Sequence, residues 1–124
     1  MTAAREKIQE APVLDDGMLS ELAGGADGSV VSSLVEGFLE ESEERIRAIR
    51  RAVAADNIEA IGFQAHALKS TAATYGAMRL GEMAAALERM AKTGDSSTAR
   101  EQSDSIEAVW PLTRAAFTDR FLSG

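Results

Sequence analysis

Ala65-His66-Ala67-Leu68-Lys69-Ser70-Thr71-Ala72-Ala73-Thr74-Tyr75-Gly76 is the stretch that decides how this chain folds. It contains the only histidine in 124 residues, with a lysine three positions later. Upstream, Asp56-Asn57-Ile58-Glu59 reads as a capping box, with Asp56 as the N-cap carboxylate and Glu59 reaching back to it. Downstream, Gly76 is placed to take the left-handed conformation that ends a helix. Together these signals predict one helix from Asp56 to about Tyr75.

At about 100° per residue, Ile58, Ile61, Ala65, Leu68, Ala72 and Tyr75 fall within an arc of about 100°, the stripe that has to be buried. His66 lies roughly 130° from its centre and faces outward. That geometry disfavours a histidine satisfied inside the core. A histidine exposed by accident is judged by its neighbours, and on its side of the helix Gly62, Ser70 and Ala73 are all small. Glycine inside a helix costs up to ~1 kcal/mol relative to alanine, so helix stability does not account for Gly62. Small residues leave room for another surface to approach the imidazole. Phe63, on the outward side, reads as part of the same docking patch. Lys69 sits one turn along and about 60° round, from where its ammonium can snorkel towards the ring.

The other segments supply that helix with partners. Residues 1–12 read as a partly flexible arm ahead of a single domain spanning 13–124. Asp15-Asp16-Gly17 looks like a turn into a short extra helix, Met18 to Ala23, which Gly24-Gly25-Ala26-Asp27-Gly28 breaks. From Ser29 to Ala55, Leu34, Phe38, Ser42, Ile46, Ile49 and Val53 recur at helical spacing. Glu36, Glu40, Glu43, Arg47, Arg50 and Arg51 occupy the opposite side as a solvated face, with Glu41–Arg45 and Glu43–Arg47 as pairs four apart. After Gly76, Leu80, Met83, Ala84, Leu87, Met90 and Ala91 share a face, with Glu88 and Lys92 paired outside. Thr93-Gly94-Asp95-Ser96 stops that helix and caps a last one from about Ser97 towards Phe121. Its inward side is Ile106, Val109, Trp110, Thr113, Ala116, Phe117 and Phe121, and Pro111 in its middle is expected to kink it. Four long amphipathic helices with short connections predict an all-α, antiparallel up-and-down four-helix bundle.

Composition closes off several functions. A net charge of −7 and the absence of any basic run argue against nucleic-acid binding. No apolar stretch approaches the ~20 residues of a membrane span, and Met1 to Glu10 has no signal-peptide core. Without cysteine there is no disulfide or thiolate chemistry, and a cytoplasmic location is expected. One exposed histidine without carboxylates at ligand spacing makes a poor metal site. What an outward histidine with a neighbouring lysine suits is attack on phosphorus. Exposed imidazoles titrate near ~6.5, so the neutral form with a free lone pair is well populated at pH 7. An adjacent ammonium then stabilises the charge that arrives.

These residues carry a resemblance. His66 is followed by Leu68 at +2, Lys69 at +3, and Gly76-Ala77 at +10 and +11. With Arg79-Leu80 and Leu87-Glu88 further on, the run resembles the signature of histidine-containing phosphotransfer (HPt) domains. Val13-Leu14-Asp15, Phe38-Leu39, the Arg45 to Ala52 segment and Asp56 extend it over residues 13–121. The resemblance implies an HPt-like bundle that carries a phosphoryl group on His66 between receiver aspartates in a multistep two-component phosphorelay. Lys69 and Ser70 would stabilise the phosphoryl group, and Glu59, Gly62, Phe63 and Ala73 would dock the partner. The partners implied are receiver domains of a hybrid histidine kinase and of a response regulator. No cofactor is implied for the chain itself, since the receiver supplies Mg²⁺, and the protein is a carrier without an ATP-binding site. Ser70 stands where the family usually has glycine, and its hydroxyl is expected to bond back to the His66 carbonyl. Two alternatives are an adaptor bundle that docks on a receiver or kinase without carrying phosphate, and a domain like the histidine-bearing one of chemotaxis kinases.

Overall fold

The computed structural model describes residues 11–15, 17, 21 and 28–122. The expected short helix from Met18 to Ala23, apart from Glu21, and residues 1–10 of the arm lie outside the described residues. From Gly28 onward, the described residues form four successive α-helices: α1 (Gly28–Ala54), α2 (Ile58–Tyr75), α3 (Met78–Thr93) and α4 (Ser96–Phe117). Each packs on its neighbours in the chain, and α1 also packs on α4, closing the ring of a four-helix bundle. Contacts fix the directions. Along α1, Glu41 meets Thr71 and Arg45 meets Gln64, so α2 runs the opposite way. Glu43 reaches Trp110 while Arg50 reaches Glu107 and Arg100 reaches the Val53 carbonyl, so α4 is antiparallel to α1 as well.

The connections are set by local chemistry, and one differs from the sequence reading. Asp56 is not an N-cap. Its φ of 52° is left-handed, its N–H donates to the Val53 carbonyl, and the Asn57 N–H donates to Ala52. Those two bonds form the helix-ending motif that consumes the last carbonyls of α1. Asn57 caps α2 instead, its side chain accepting from the Ala60 N–H at 3.1 Å, so Glu59 has no Asp56 cap to complete. At the other end of α2, Gly76 takes φ 82° and its N–H donates to Ala72, as expected. Ala77 offers α3 no side-chain cap. The Pro12 carbonyl replaces it, accepting the Arg79 N–H at 2.8 Å, while the Asp15 N–H donates to the Gly76 carbonyl. Ala11 and Pro12 are therefore docked on the α2–α3 connection. Asp95 caps α4 through the Thr98 N–H.

Phe38 stands at the centre of the core, with ring centroids 4.6 Å from Phe117, 5.2 Å from Tyr75 and 6.3 Å from Trp110. On α1 it is Val35, not Leu34, that is fully buried, and Ala52 joins the inner face. On α2 the predicted stripe is buried at Ile61, Ala65, Leu68 and Ala72. Ile58 and Tyr75 pack at its edges, and Thr71 is buried through its 2.6 Å bond to Glu41. Helix α4 runs unbroken through Pro111. It ends at Phe117, and a π-helical turn, Thr118–Leu122, leaves Phe121 half-buried. Ala116 is half-buried too.

The altered cap is testable by denaturant unfolding. Asn57→Ala should cost about 1 kcal/mol by leaving a donor of the first turn unpartnered. Asp56→Gly should be neutral or stabilising by up to about 1 kcal/mol, because glycine adopts a positive φ without a Cβ clash.

Candidate functional site

Helices α2 and α3 approach closely because small residues meet between them. A Cβ placed on Gly62 would lie 3.3 Å from the Ala91 Cβ, and one on Gly81 would lie 3.5 Å from the Ala72 Cβ. That spacing brings a side chain of α3 across to α2. Glu88, expected on the outer face with Lys92, is instead buried, and its carboxylate bridges two groups of α2. Oε2 lies 2.8 Å from Nδ1 of His66 and Oε1 accepts from the Lys69 ammonium at 2.6 Å. Lys92 stands 3.9 Å from the same carboxylate but is 75% exposed, so its contribution is weak.

The hydrogen bond from Lys69 is the main cause holding the Glu88 carboxyl below the usual glutamate range. Burial pushes the other way, and the hydrogen bond with His66 adds to the lowering. At neutral pH Glu88 is therefore ionised and can only accept. The proton between it and His66 then belongs to Nδ1, which leaves the lone pair of a neutral ring on Nε2. The His66 side chain is 61% exposed, so that nitrogen is accessible. Its orientation is fixed by a carboxylate rather than by chance rotamers.

His66 opens onto a hollow of about 400 Å³ lined by Ile58, Glu59, Gly62, Phe63, Glu88, Ala91 and Lys92. Three of the expected docking residues, Glu59, Gly62 and Phe63, thus share the imidazole's surroundings, and Phe63 is 66% exposed. Ala73 does not belong to this hollow. It lines a second one of about 320 Å³ beyond Lys69, with Gly76, Met78 and Gly81 among its walls. Ser70 lines neither and is exposed. Among the described residues its hydroxyl makes no bond to the His66 carbonyl; the back-bond of this kind is made by Thr74, to the Ser70 carbonyl. Glu88 is what the sequence reading missed as a site residue. Its signal was present, because on the α3 wheel Glu88 falls beside Ala77, Gly81 and Ala84, the small residues along which a second helix can come close.

The lowered Glu88 pKa has a definite consequence for stability. Such a group contributes above its ordinary value, and the contribution is lost as pH falls through the folded-state value. Relative to Glu88→Gln, the wild type should be more stable at pH 7 by on the order of 1 kcal/mol. The difference should shrink as pH falls below ~4.3, measured by denaturant unfolding at a series of pH values.

Comparison with known proteins agrees with this fold. The chain is 29% identical over 105 residues to the phosphorelay protein LuxU of Vibrio harveyi, covering 85% of this chain and 92% of that one. Among solved structures, histidine-containing phosphotransfer protein B (HptB) from Pseudomonas aeruginosa PAO1 superposes with a TM-score of 0.82 at 28% identity, over 90% of this chain and 96% of that one. A putative histidine-containing phosphotransfer protein from rice has the same fold, with a TM-score of 0.73 at 15% identity over 95% of this chain and 93% of that one. Residues 33–116, from α1 through all but the end of α4, match the Hpt domain, and with more than half of its length matched the chain belongs to the Hpt domain family.

Proposed function

We propose that His66 is the phosphoryl acceptor, taking the group on Nε2 from an aspartyl phosphate of one receiver domain and passing it to the aspartate of another. The observation that carries this reading is the 2.8 Å contact between Nδ1 and Glu88. With Glu88 ionised, that contact supports a ring proton directed inside and a lone pair outside. Membership of the Hpt family gives the chain a phosphotransfer role in two-component signalling. The names of its relatives in Vibrio harveyi and Pseudomonas aeruginosa support the same role.

The geometry supports a direct transfer. The Nε2 lone pair attacks phosphorus, the bond from phosphorus to the receiver's carboxylate oxygen breaks, and that carboxylate leaves with the electron pair. Positive charge arriving on the ring is offset by ionised Glu88 through the Nδ1–H bond. Delivery to a second receiver retraces the path. Lys69, one hydrogen bond away from the same carboxylate, supplies a cation beside the transferred group. The receiver's exposed surface docks over Phe63, Gly62 and Glu59.

Among the described residues no group of three or more His, Cys, Asp or Glu is placed to hold a metal. We assign the Mg²⁺ that neutralises the phosphoryl charge to the receiver. The chain then acts as a carrier that depends on its partners for catalysis. Among the described residues no helix is long and apolar enough to cross a membrane, and receiver partners put its site of action in the cytoplasm. An adaptor that only titrated a receiver would have no use for an imidazole oriented in this way.

Incubation with a phosphorylated receiver and Mg²⁺ should place acid-labile phosphate on the protein, and labelling that survives His66→Gln would sink the assignment. Lys69→Ala should slow transfer by about tenfold, the rate equivalent of one charge-assisted hydrogen bond. Phe63→Ala should raise the concentration of receiver needed for half-maximal transfer by roughly tenfold while the helical circular dichroism stays unchanged.

A further inference from the structure

Glu88 serves two groups whose needs diverge once His66 is phosphorylated. One oxygen accepts from Nδ1 and the other from the Lys69 ammonium. The carboxylate is only 12% exposed, so water substitutes poorly for either partner. Lys69 is different. Its side chain is 38% exposed and ends in a flexible stem, so the ammonium can swing away from Glu88 without a change in the backbone. A phosphoryl group on Nε2 would draw it away, because it brings concentrated negative charge to the ring that shares the Glu88 carboxylate with this ammonium.

We propose that Glu88 competes with the phosphoryl group for Lys69, and that this competition keeps phosphorylated His66 a ready donor. The proposal rests on His66 being the phosphoryl acceptor. Whatever share of the ammonium Glu88 retains is stabilisation withheld from the bond between phosphorus and Nε2. When water or a receiver aspartate attacks phosphorus, that bond breaks and its electron pair returns to Nε2, while Nδ1 keeps its proton towards Glu88. Negative charge leaves with the phosphoryl group, and the ammonium returns to Oε1. The re-formed Lys69–Glu88 pair therefore favours the discharged protein. A carboxylate does this where a carboxamide would not: a glutamine carbonyl can still accept from Nδ1, but without charge it holds the ammonium weakly. The depressed pKa of Glu88 is consistent with an ion pair strong enough to compete.

The test uses phosphoramidate, a small donor that labels histidine without any receiver, and follows the loss of phosphate by ³¹P NMR. Glu88→Gln should lengthen the half-life of phosphorylated His66 by about three- to tenfold, the effect of weakening one charge-assisted hydrogen bond. In a Lys69→Ala background the same substitution should no longer lengthen the half-life, because what remains is loss of the charge that offsets the ring through Nδ1, which shortens it. An unchanged or shortened half-life in Glu88→Gln would overturn the proposal. So would an equal lengthening in the Lys69→Ala background, because Glu88 would then act without Lys69. The wild type offers a measurement that needs no substitution. The ¹⁵N signal of the Lys69 ammonium should shift on phosphorylation as it exchanges one anionic partner for another, and an unmoved signal would contradict the exchange. Failure of the labelled protein to pass phosphate to any receiver would count against the relay reading and leave these half-lives as the test of the competition.

Discussion

Gly62 lies so close to Ala91 that a methyl group added to it would meet the Ala91 Cβ at 3.3 Å. Ten residues further along α2 and ten residues back along α3, Ala72 and Gly81 repeat the contact at 3.5 Å. These two points set the separation of the antiparallel pair, and the site depends on that separation. A glutamate side chain is short. Only because the helices are this close can Glu88 reach across from α3 and bond His66 and Lys69 on α2. Larger residues at 62 or 81 would push the helices apart, and the imidazole would lose the partner that fixes its proton and its direction. The helix-destabilising glycine inside α2 is thus explained twice, by access to the ring from outside and by approach of α3 from inside.

The remaining elements hold that pair in place. Helices α1 and α4 close the bundle around Phe38 and its ring contacts, and ion pairs between Glu43, Arg50, Glu107 and Arg114 line the α1–α4 seam. The connection between α2 and α3 is only two residues long. It is secured by Gly76 in the left-handed region and by backbone bonds to Pro12 and Asp15. A site built on two helices and a tight turn has the proposed acceptor nitrogen positioned before any partner arrives. That suits the proposed division of labour, in which this chain contributes orientation and the partner most of the charge neutralisation.

The helical register was legible from the sequence because it is a local property. Apolar spacing located all four helices, and the wheel placed His66 away from the buried stripe at Ala65, Leu68 and Ala72. Glycine signals located the ends of α2 and α3. Errors arose where two local solutions compete. Asp56 and Asn57 can both cap a helix, and the choice fell to Asn57 because the end of α1 needs a residue at positive φ in the position before it. Ser70 and Thr74 can both bond back to a carbonyl, and only Thr74 does. Glu88 was hidden for another reason. Its partners lie 22 and 19 residues away, on a different helix, and a glutamate four residues before a lysine reads as a surface pair until the distance between helices is known. Ala73 was grouped with His66 by its side of the helix, yet the hollow it lines lies beyond Lys69.

What unites the Glu88 bridge, the outward Nε2 and the family is a claim about one atom. The most direct measurement is heteronuclear NMR of the ¹⁵N-histidine-labelled protein before and after phosphorylation by a receiver. Before phosphorylation the neutral ring should carry its proton on Nδ1, and afterwards phosphorus should be bonded to Nε2 with the Nδ1 proton still directed at Glu88. A proton on Nε2 in the free protein, or phosphorus on Nδ1 in the charged one, would contradict the role given to Glu88 and with it the way the bundle presents its histidine.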